Sequence, residues 1–263
     1  MTTEEQVKRI ILNQGADLCG IANIDRFTDT PIGFHPLDIY KDCKSVIVFA
    51  KRLSKGLAYI NPRIIYNHAN GLGKNAVDKI TYEASIEIEQ LGCITVPLPC
   101  DGPYEYWEKD NITGKGLLSM RHAAVLAGLG SLGKNTLLIN KLYGNFLTLG
   151  AILTNLDLKS DPLSEELCVE NCRLCLDNCP ANALDGKTAN QKLCRPHTYT
   201  TNKRGFGVVN CNKCRTVCPG KFGIWKVWII NLITQMDSLS IFLTRKNYDY
   251  SEFSEHGTDA AIG

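Results

Sequence analysis

Eight of the twelve cysteines in this 263-residue chain fall between positions 168 and 218, and nothing else in the sequence limits its fold as much. The first passage reads Cys168-Val-Glu-Asn-Cys172-Arg-Leu-Cys175-Leu-Asp-Asn-Cys179-Pro180; the second supplies Cys194 and then Cys211-Asn-Lys-Cys214-Arg-Thr-Val-Cys218-Pro219. Each ends in a C-x2-C-x3-C-P run, the spacing with which bacterial ferredoxins hold two [4Fe-4S] clusters, the last cysteine of a run ligating the other cluster. A C-x2-C turn sets two thiolates at adjacent corners of one iron cube, and the x3 step with its proline carries the final cysteine away. The expected ligand sets are Cys168, Cys172, Cys175 and Cys218 for one cluster, and Cys179, Cys194, Cys211 and Cys214 for the other. One departure stands out: Cys168 precedes Cys172 by three intervening residues instead of two, which leaves a one-residue bulge in the first loop.

Two other uses of cysteine compete with this reading. Zinc ribbons pair C-x2-C turns about 15 to 20 residues apart, and Cys175 and Cys211 lie much further apart than that. Disulfides belong to oxidising compartments, whereas residues 1–6 carry neither the basic nor the apolar region of a secretory signal, so a cytoplasmic setting is expected. Cys19, Cys43, Cys93 and Cys100 have no partner at ligand spacing and are expected to be core thiols. The longest apolar stretch, 222–243, is interrupted by Lys226, Asn231, Gln235 and Asp237, so it is expected to form a soluble helix and not a membrane span. Trp225, Trp228 and Ile229 on it are free to shield a cluster, pack on the rest of the chain or form a dimer contact.

Charge is nearly balanced, 29 basic against 27 acidic residues, which argues against a strongly basic nucleic-acid binder or an acidic disordered chain. The balance is local, however. Lys192, Arg195, Lys203, Arg204, Lys213, Arg215 and Lys221 lie in a stretch without an acid. They read either as a phosphate-binding patch or as compensation for anionic clusters.

Residues 1–158 read as a mixed α/β domain. Thr2 or Thr3 with Glu5 or Gln6 makes a capping box for a helix that ends near Gly15. Strands are expected over 16–22, over SVIVFA at 45–50 and over 93–97, with a helix over 76–91 closed by Gly92. Residues 99–116 form a long loop of the kind that covers a site, followed by a helix over 117–126. Residues 136–140 and 146–154 are expected to pair as an antiparallel hairpin. A linker at 159–162 then leads to a cysteine domain over 159–221, followed by a C-terminal helix and tail over 222–263.

Clusters carry electrons, so an acceptor is needed. Gly128, Gly130 and Gly133 allow close backbone approach at a helix-to-strand junction, and Lys134 and Asn135 add a cation and an amide. The glycines follow a helix, whereas the dinucleotide fingerprint opens one, so that likeness is discounted. From the residues alone, ligand binding and tight packing both remain open.

The run Ala127-Gly-Leu-Gly-Ser-Leu-Gly-Lys-Asn-Thr-Leu-Leu-Ile139, followed by Gly144, Leu149-Gly-Ala-Ile-Leu-Thr154 and the paired cluster motifs, resembles the epoxyqueuosine reductase family. The resemblance covers residues 115–220 well. It implies an α+β fold: a nitroreductase-like corrinoid-binding α/β domain followed by a bacterial two-[4Fe-4S] ferredoxin-like domain. It implies a cobalamin-dependent reductase whose corrinoid is held by Gly128, Leu129, Gly130, Ser131, Gly133, Lys134 and Asn135. A low-potential donor of ferredoxin or flavodoxin type would feed the clusters, and the substrate would be a small molecule or a modified base, with tRNA as a further partner. The alternative is an electron-delivery protein, or a reductive activator of a separate enzyme, without cobalamin of its own. Ser131 replaces the family's tryptophan, the family's acidic proton donor falls near Gly114 or Lys115, and the helical-repeat extension is lacking. Asp101, Glu105, Glu108 and Asp110, with Tyr104, Tyr106 and His122 behind them, are the candidates for proton donation, and Arg121 and His122 could face a ligand from their helix.

Overall fold

The computed structural model describes residues 1–61 and 63–224, and Met1–Trp225 cluster as one compact unit. Helix α1 (Thr3–Asn13) opens on the expected capping box, with Thr2 and Glu5 exchanging two hydrogen bonds of 2.9 and 3.3 Å. Strand β1 (Leu18–Asn23), the single turn α2 (Pro36–Ile39) and strand β2 (Ser45–Arg52) follow. Helix α3 (Arg63–Glu89) then leads through Gly92 to β3 (Thr95–Leu98). The short strands β4 (Tyr106–Glu108) and β5 (Thr113–Lys115) precede α4 (Met120–Leu126). Two-residue β6 (Ser131–Leu132) and β7 (Leu138–Ile139) come before the long β8 (Leu147–Thr154). The cysteine-rich part carries α5 (Leu174–Asp177), α6 (Gln191–Thr198), β9 (Tyr199–Thr201), β10 (Gly207–Val209) and α7 (Lys213–Thr216).

The main sheet has the order β1-β2-β8-β3 and is antiparallel throughout. Its centre explains the unbroken apolar run of β2. Successive side chains point to opposite faces. Val46, Val48 and Ala50 join one core cluster with Ala123, Ala124 and Ala127 around α4, while Ile47 and Phe49 join another with Val7 and Ile11 of α1 and Val77, Ile80, Ala84 and Ile88 of α3. Both faces are covered, so this strand has no polar side to show.

Three expectations need correction. The hairpin between 136–140 and 146–154 does not form: β7 pairs with β6, and β8 lies between β2 and β3. The turn chemistry was real but closes only a bridge between Asn140 and Gly144. Helix α3 begins 13 residues before the expected start at 76, because residues 63–75 fully bury only Tyr66 and lack the apolar stripe that periodicity detects. The loop at 99–116 contains the paired strands β4 and β5. The expected C-terminal helix, with Trp225, Trp228 and Ile229, lies outside the described residues. Among the described residues no helix is long and apolar enough to cross a membrane.

Candidate redox site

Helices α5 and α7 are single turns that pack against each other and occupy equivalent places in the two cysteine runs, carrying Cys175 and Cys214 respectively. All eight thiols are free, and they fall into two groups by mutual influence. Burial raises the pKa of Cys175, and the neighbouring Cys168 and Cys172 push it the same way. Burial lifts Cys218 to about 11, and Cys168, Cys175 and Cys172 again add to the effect. Burial likewise lifts Cys214 to about 11, but here the reinforcing thiols are Cys211, Cys194 and Cys179. Cys218 is thus influenced by Cys168, Cys172 and Cys175 of the first run, and Cys214 by Cys179 of the first run together with Cys194 and Cys211. Ala183 N–H donates to Cys179 Sγ at 3.4 Å.

A single zinc ion needs its thiolates about 3.8 Å apart, given tetrahedral bonds of about 2.3 Å, whereas an iron-sulfur cube binds its cysteines at its corners and keeps their sulfurs further apart. Among the described residues no group of three or more His, Cys, Asp or Glu side chains is placed to hold a metal ion.

The glycine segment lies between these loops and the sheet, and its side chains are engaged. Gly128 has φ +74°, and a Cβ on it would meet the Pro162 carbonyl oxygen at 2.2 Å; a Cβ on Gly130 would meet that of Ile139 at 2.0 Å. Gly133 is pressed against Asn135 and Ile139. Leu129 is buried in the sheet-side core. Ser131 Oγ donates to Glu166 Oε1 and accepts from Leu167 N–H, both at 2.8 Å. Lys134 Nζ donates to the carbonyls of Val169, Glu170 and Cys172. Asn135 Nδ2 donates to the Cys214 carbonyl at 2.9 Å. As a side-chain cradle for a corrinoid the segment does not fit, since its polar groups already hold the cysteine loops; only its backbone is left for a ligand.

A group of cationic and aromatic side chains lies within electrostatic reach of Cys194 and Cys214. Arg121 is open to water, yet dense surroundings lower its pKa, and Arg215, Cys214, Cys194 and Tyr104 are all within electrostatic reach. Its Nη1 is anchored on the Thr136 carbonyl and hydroxyl, both at 2.8 Å. Arg215 donates to the carbonyls of Asn145 and Leu147. Neither arginine has a carboxylate partner among the described residues. Tyr104 and Trp107 stack with centroids 6.2 Å apart, and the Arg195 guanidinium sits 4.8 Å from the first ring and 5.1 Å from the second. Sequence reasoning listed Arg195 only as one base among seven; its neighbour Cys194 was the available signal.

The structure also separates the proton-donor candidates. Asp101 ion-pairs with Lys74 and accepts from the Tyr104 hydroxyl at 3.0 Å. Burial opposes its ionised form, but these partners prevail and hold its carboxyl below the usual range. Glu105, Glu108, Asp110 and Tyr106 are exposed, and Glu108 borders an open polar cleft of about 360 Å³ with Asn111, Asn190 and Lys192. His122 Nδ1 shares a 2.7 Å hydrogen bond with Ser119 on the surface. Gly114 lies beneath Tyr104 and Arg195 with no room for a side chain, so the family's acid has no counterpart there.

No protein-family model matches the chain. Over 114 residues it is 37% identical to epoxyqueuosine reductase of Lactococcus garvieae (strain Lg2), covering 38% of this chain and 31% of that protein. The chain is related to the epoxyqueuosine reductases. A longer, weaker match of 26% identity over 251 residues joins it to tetrachloroethene reductive dehalogenase of Desulfitobacterium hafniense, covering 88% of this chain and 42% of that protein. Among solved structures it is similar to epoxyqueuosine reductase from Streptococcus thermophilus (TM-score 0.57, 19% identity, 84% of this chain and 66% of that one). It is also similar to a reductive dehalogenase described as performing B12-dependent dehalogenation (TM-score 0.63, 16% identity, 89% and 34%). The chain thus spans about a third of the length of the first curated relative it matches. The relatives are reductases, and the fold shared with them is a mixed helix and sheet architecture.

Proposed function

We propose that the chain is an iron-sulfur oxidoreductase, in which Cys168, Cys172, Cys175 and Cys218 hold one [4Fe-4S] cluster and Cys179, Cys194, Cys211 and Cys214 hold the other. The observation that carries this reading is the pair of C-x2-C-x3-C-P runs, set on the contacting single turns α5 and α7, with all eight thiols free. In this reading residues 1–158 form the nitroreductase-like part, 159–221 the ferredoxin-like part, and the setting is the reducing cytoplasm. The clusters, when bound, pass single electrons at low potential from a donor of ferredoxin or flavodoxin type.

The chain's own residues define where those electrons go. Arg121, with Arg215, Tyr104, Cys194 and Cys214 within its electrostatic reach, marks the proposed seat of the acceptor. The resemblance implies a corrinoid acceptor on the Gly128–Asn135 segment, where only backbone is left to meet it, and a small molecule or a modified base as substrate; epoxyqueuosine reductase has been solved with a modified tRNA stem loop. The unpaired guanidiniums attract an anionic group and orient it beside Cys194 and Cys214. Asp101, kept ionised by Lys74, accepts from the Tyr104 hydroxyl and so positions the Tyr104 ring under Arg195.

Anaerobically purified protein should contain about eight iron and eight acid-labile sulfides per chain, since two cubes hold four of each. Cys218→Ala should remove the cluster of the first run and Cys179→Ala that of the second, each leaving about four iron. Stoichiometric zinc overturns the reading. A Cys218→Ala protein that keeps the cluster of Cys168, Cys172 and Cys175 overturns the cross-ligation.

A further inference from the structure

Three carbonyls of one short loop converge on one ammonium. Lys134 Nζ reaches the carbonyl oxygens of Val169 at 3.2 Å and Cys172 at 3.1 Å, and also that of Glu170. An ammonium has three N–H donors and no acceptor, so this set uses its capacity. The loop is the one between Cys168 and Cys172, which carries the extra residue relative to a C-x2-C turn. An additional residue in so tight a turn adds a carbonyl that the turn's own hydrogen bonding cannot absorb. Within the loop itself only Cys172 N–H bonds back to Val169 O, at 3.1 Å. The other end is pinned independently, because Glu166 Oε1 accepts from Cys168 N–H at 2.9 Å and from Ser131 Oγ at 2.8 Å. Asn135, the next residue after Lys134, bonds to the Cys214 carbonyl in the second quartet.

We infer that Lys134 is a positioning residue for the cluster of Cys168, Cys172, Cys175 and Cys218: its ammonium closes the bulged loop and supplies positive charge that raises the potential of that cluster. The inference rests on the two-cluster reading and moves Lys134 from the corrinoid to the iron. The charge argument has a definite sign. A four-thiolate cube becomes more negative on reduction, so a nearby cation favours the reduced state and its removal lowers the potential. The effect is selective because Lys134 caps only one loop.

The test is an EPR-monitored redox titration of the anaerobically purified, cluster-loaded protein, with iron counted in every sample. In Lys134→Met one of the two reduction steps should shift so that the reduced-to-oxidised ratio at fixed poise falls about tenfold, about 59 mV for one electron. The other step should stay in place, and Lys134→Arg should recover part of the shift. Where Lys134→Met loses iron, Lys134→Gln, which keeps donors but not charge, provides the potential measurement. Full iron with both steps unmoved, or with both moved equally, overturns the inference. Wild-type protein without iron instead overturns the two-cluster reading, so the two failures are distinguishable. Cobalamin titration adds an independent check: a variant with unmoved potentials and a tenfold loss of cobalamin binding returns Lys134 to the corrinoid.

Discussion

Gly128→Ala tests whether the cysteine loops are mounted on the sheet through the glycine segment. Gly128 has φ +74°, and an added Cβ would lie 2.2 Å from the Pro162 oxygen. Left-handed backbone costs an L-residue about 1–2 kcal/mol. Carbon-to-oxygen contacts settle at about 3.3 Å or more, so residue 162 must retreat by about 1 Å. That retreat pulls on a well-tied stretch. Asp161 N–H donates to the Ile21 carbonyl and its Oδ2 accepts from Ile21 N–H, both at 2.9 Å, while Asn23 N–H donates to Ser160 Oγ at 2.8 Å. Losing two or three of these at about 1 kcal/mol each brings the total to about 3–5 kcal/mol.

Anaerobic urea unfolding followed by near-UV circular dichroism measures the loss. With a slope of about 2 kcal/mol per molar, the midpoint should fall by about 2 M. Gly33→Ala is the control, since Gly33 also has positive φ, +85°, but nothing within 4 Å of an added Cβ. It carries the backbone strain without the clash and should cost only about 1–2 kcal/mol. If the two variants unfold at the same urea concentration, Gly128 is not the point at which the seam is held, and the reasoning from close approach fails.

Other outcomes follow from the same contacts. Arg195→Ala removes the cation shared by Tyr104, Trp107 and Tyr199, so the 99–116 loop should become more accessible to protease and Trp107 fluorescence should change; unaltered cleavage refutes the clamp. Cys19 and Cys100 are held near pKa 12 and Cys43 near 11, mainly by burial, so these thiols stay protonated at pH 8 and should resist iodoacetamide in the folded protein; rapid labelling contradicts this. Asp185 accepts from Lys187 N–H and from both the N–H and hydroxyl of Thr188, which lower its pKa from 3.8 to about 2. A depressed carboxylate stabilises above its unfolded value and loses that contribution as pH falls toward 2, so Asp185→Asn should abolish whatever acid-induced loosening hydrogen exchange detects at 185–188.

What the sequence disclosed depended on how local the cause was. The α1 cap is legible because Thr2 and Glu5 are three residues apart and satisfy each other. Strand β2 is legible because burial on both faces leaves an unbroken apolar run. The place of β8 is not, since its partners β2 and β3 lie far away in the chain, and a nearby turn at Asn140–Gly144 looked like a hairpin. The two C-x2-C-x3-C-P runs were readable from spacing alone, because their cysteines are neighbours in the chain. The glycine segment was half readable. Its conformations follow from residue type, but whether Lys134 and Asn135 face a ligand or their own protein depends on loops more than thirty residues later.

That last dependence bears on how the cysteine-rich part is built. Leu167, Cys175, Ala183 and Val208 are its buried apolar residues, and none of them joins one of the three core clusters that the described residues form. Such a segment lacks the apolar area to order its own loops. Its order draws on two kinds of tie: in the proposed reading, interleaved quartets in which neither run completes a cluster alone, and bonds to the rest of the chain such as those of Ser131, Lys134 and Asn135. The second kind is available before any iron arrives. Substituting Asn135 by Leu removes a bond to the second loop and leaves those of Lys134 to the first, so cluster assembly should slow selectively in the quartet that contains Cys214. Equal slowing of both quartets in anaerobic reconstitution, read as iron uptake in Cys218→Ala and Cys179→Ala backgrounds, would show that the loops are ordered as one body and not strand by strand.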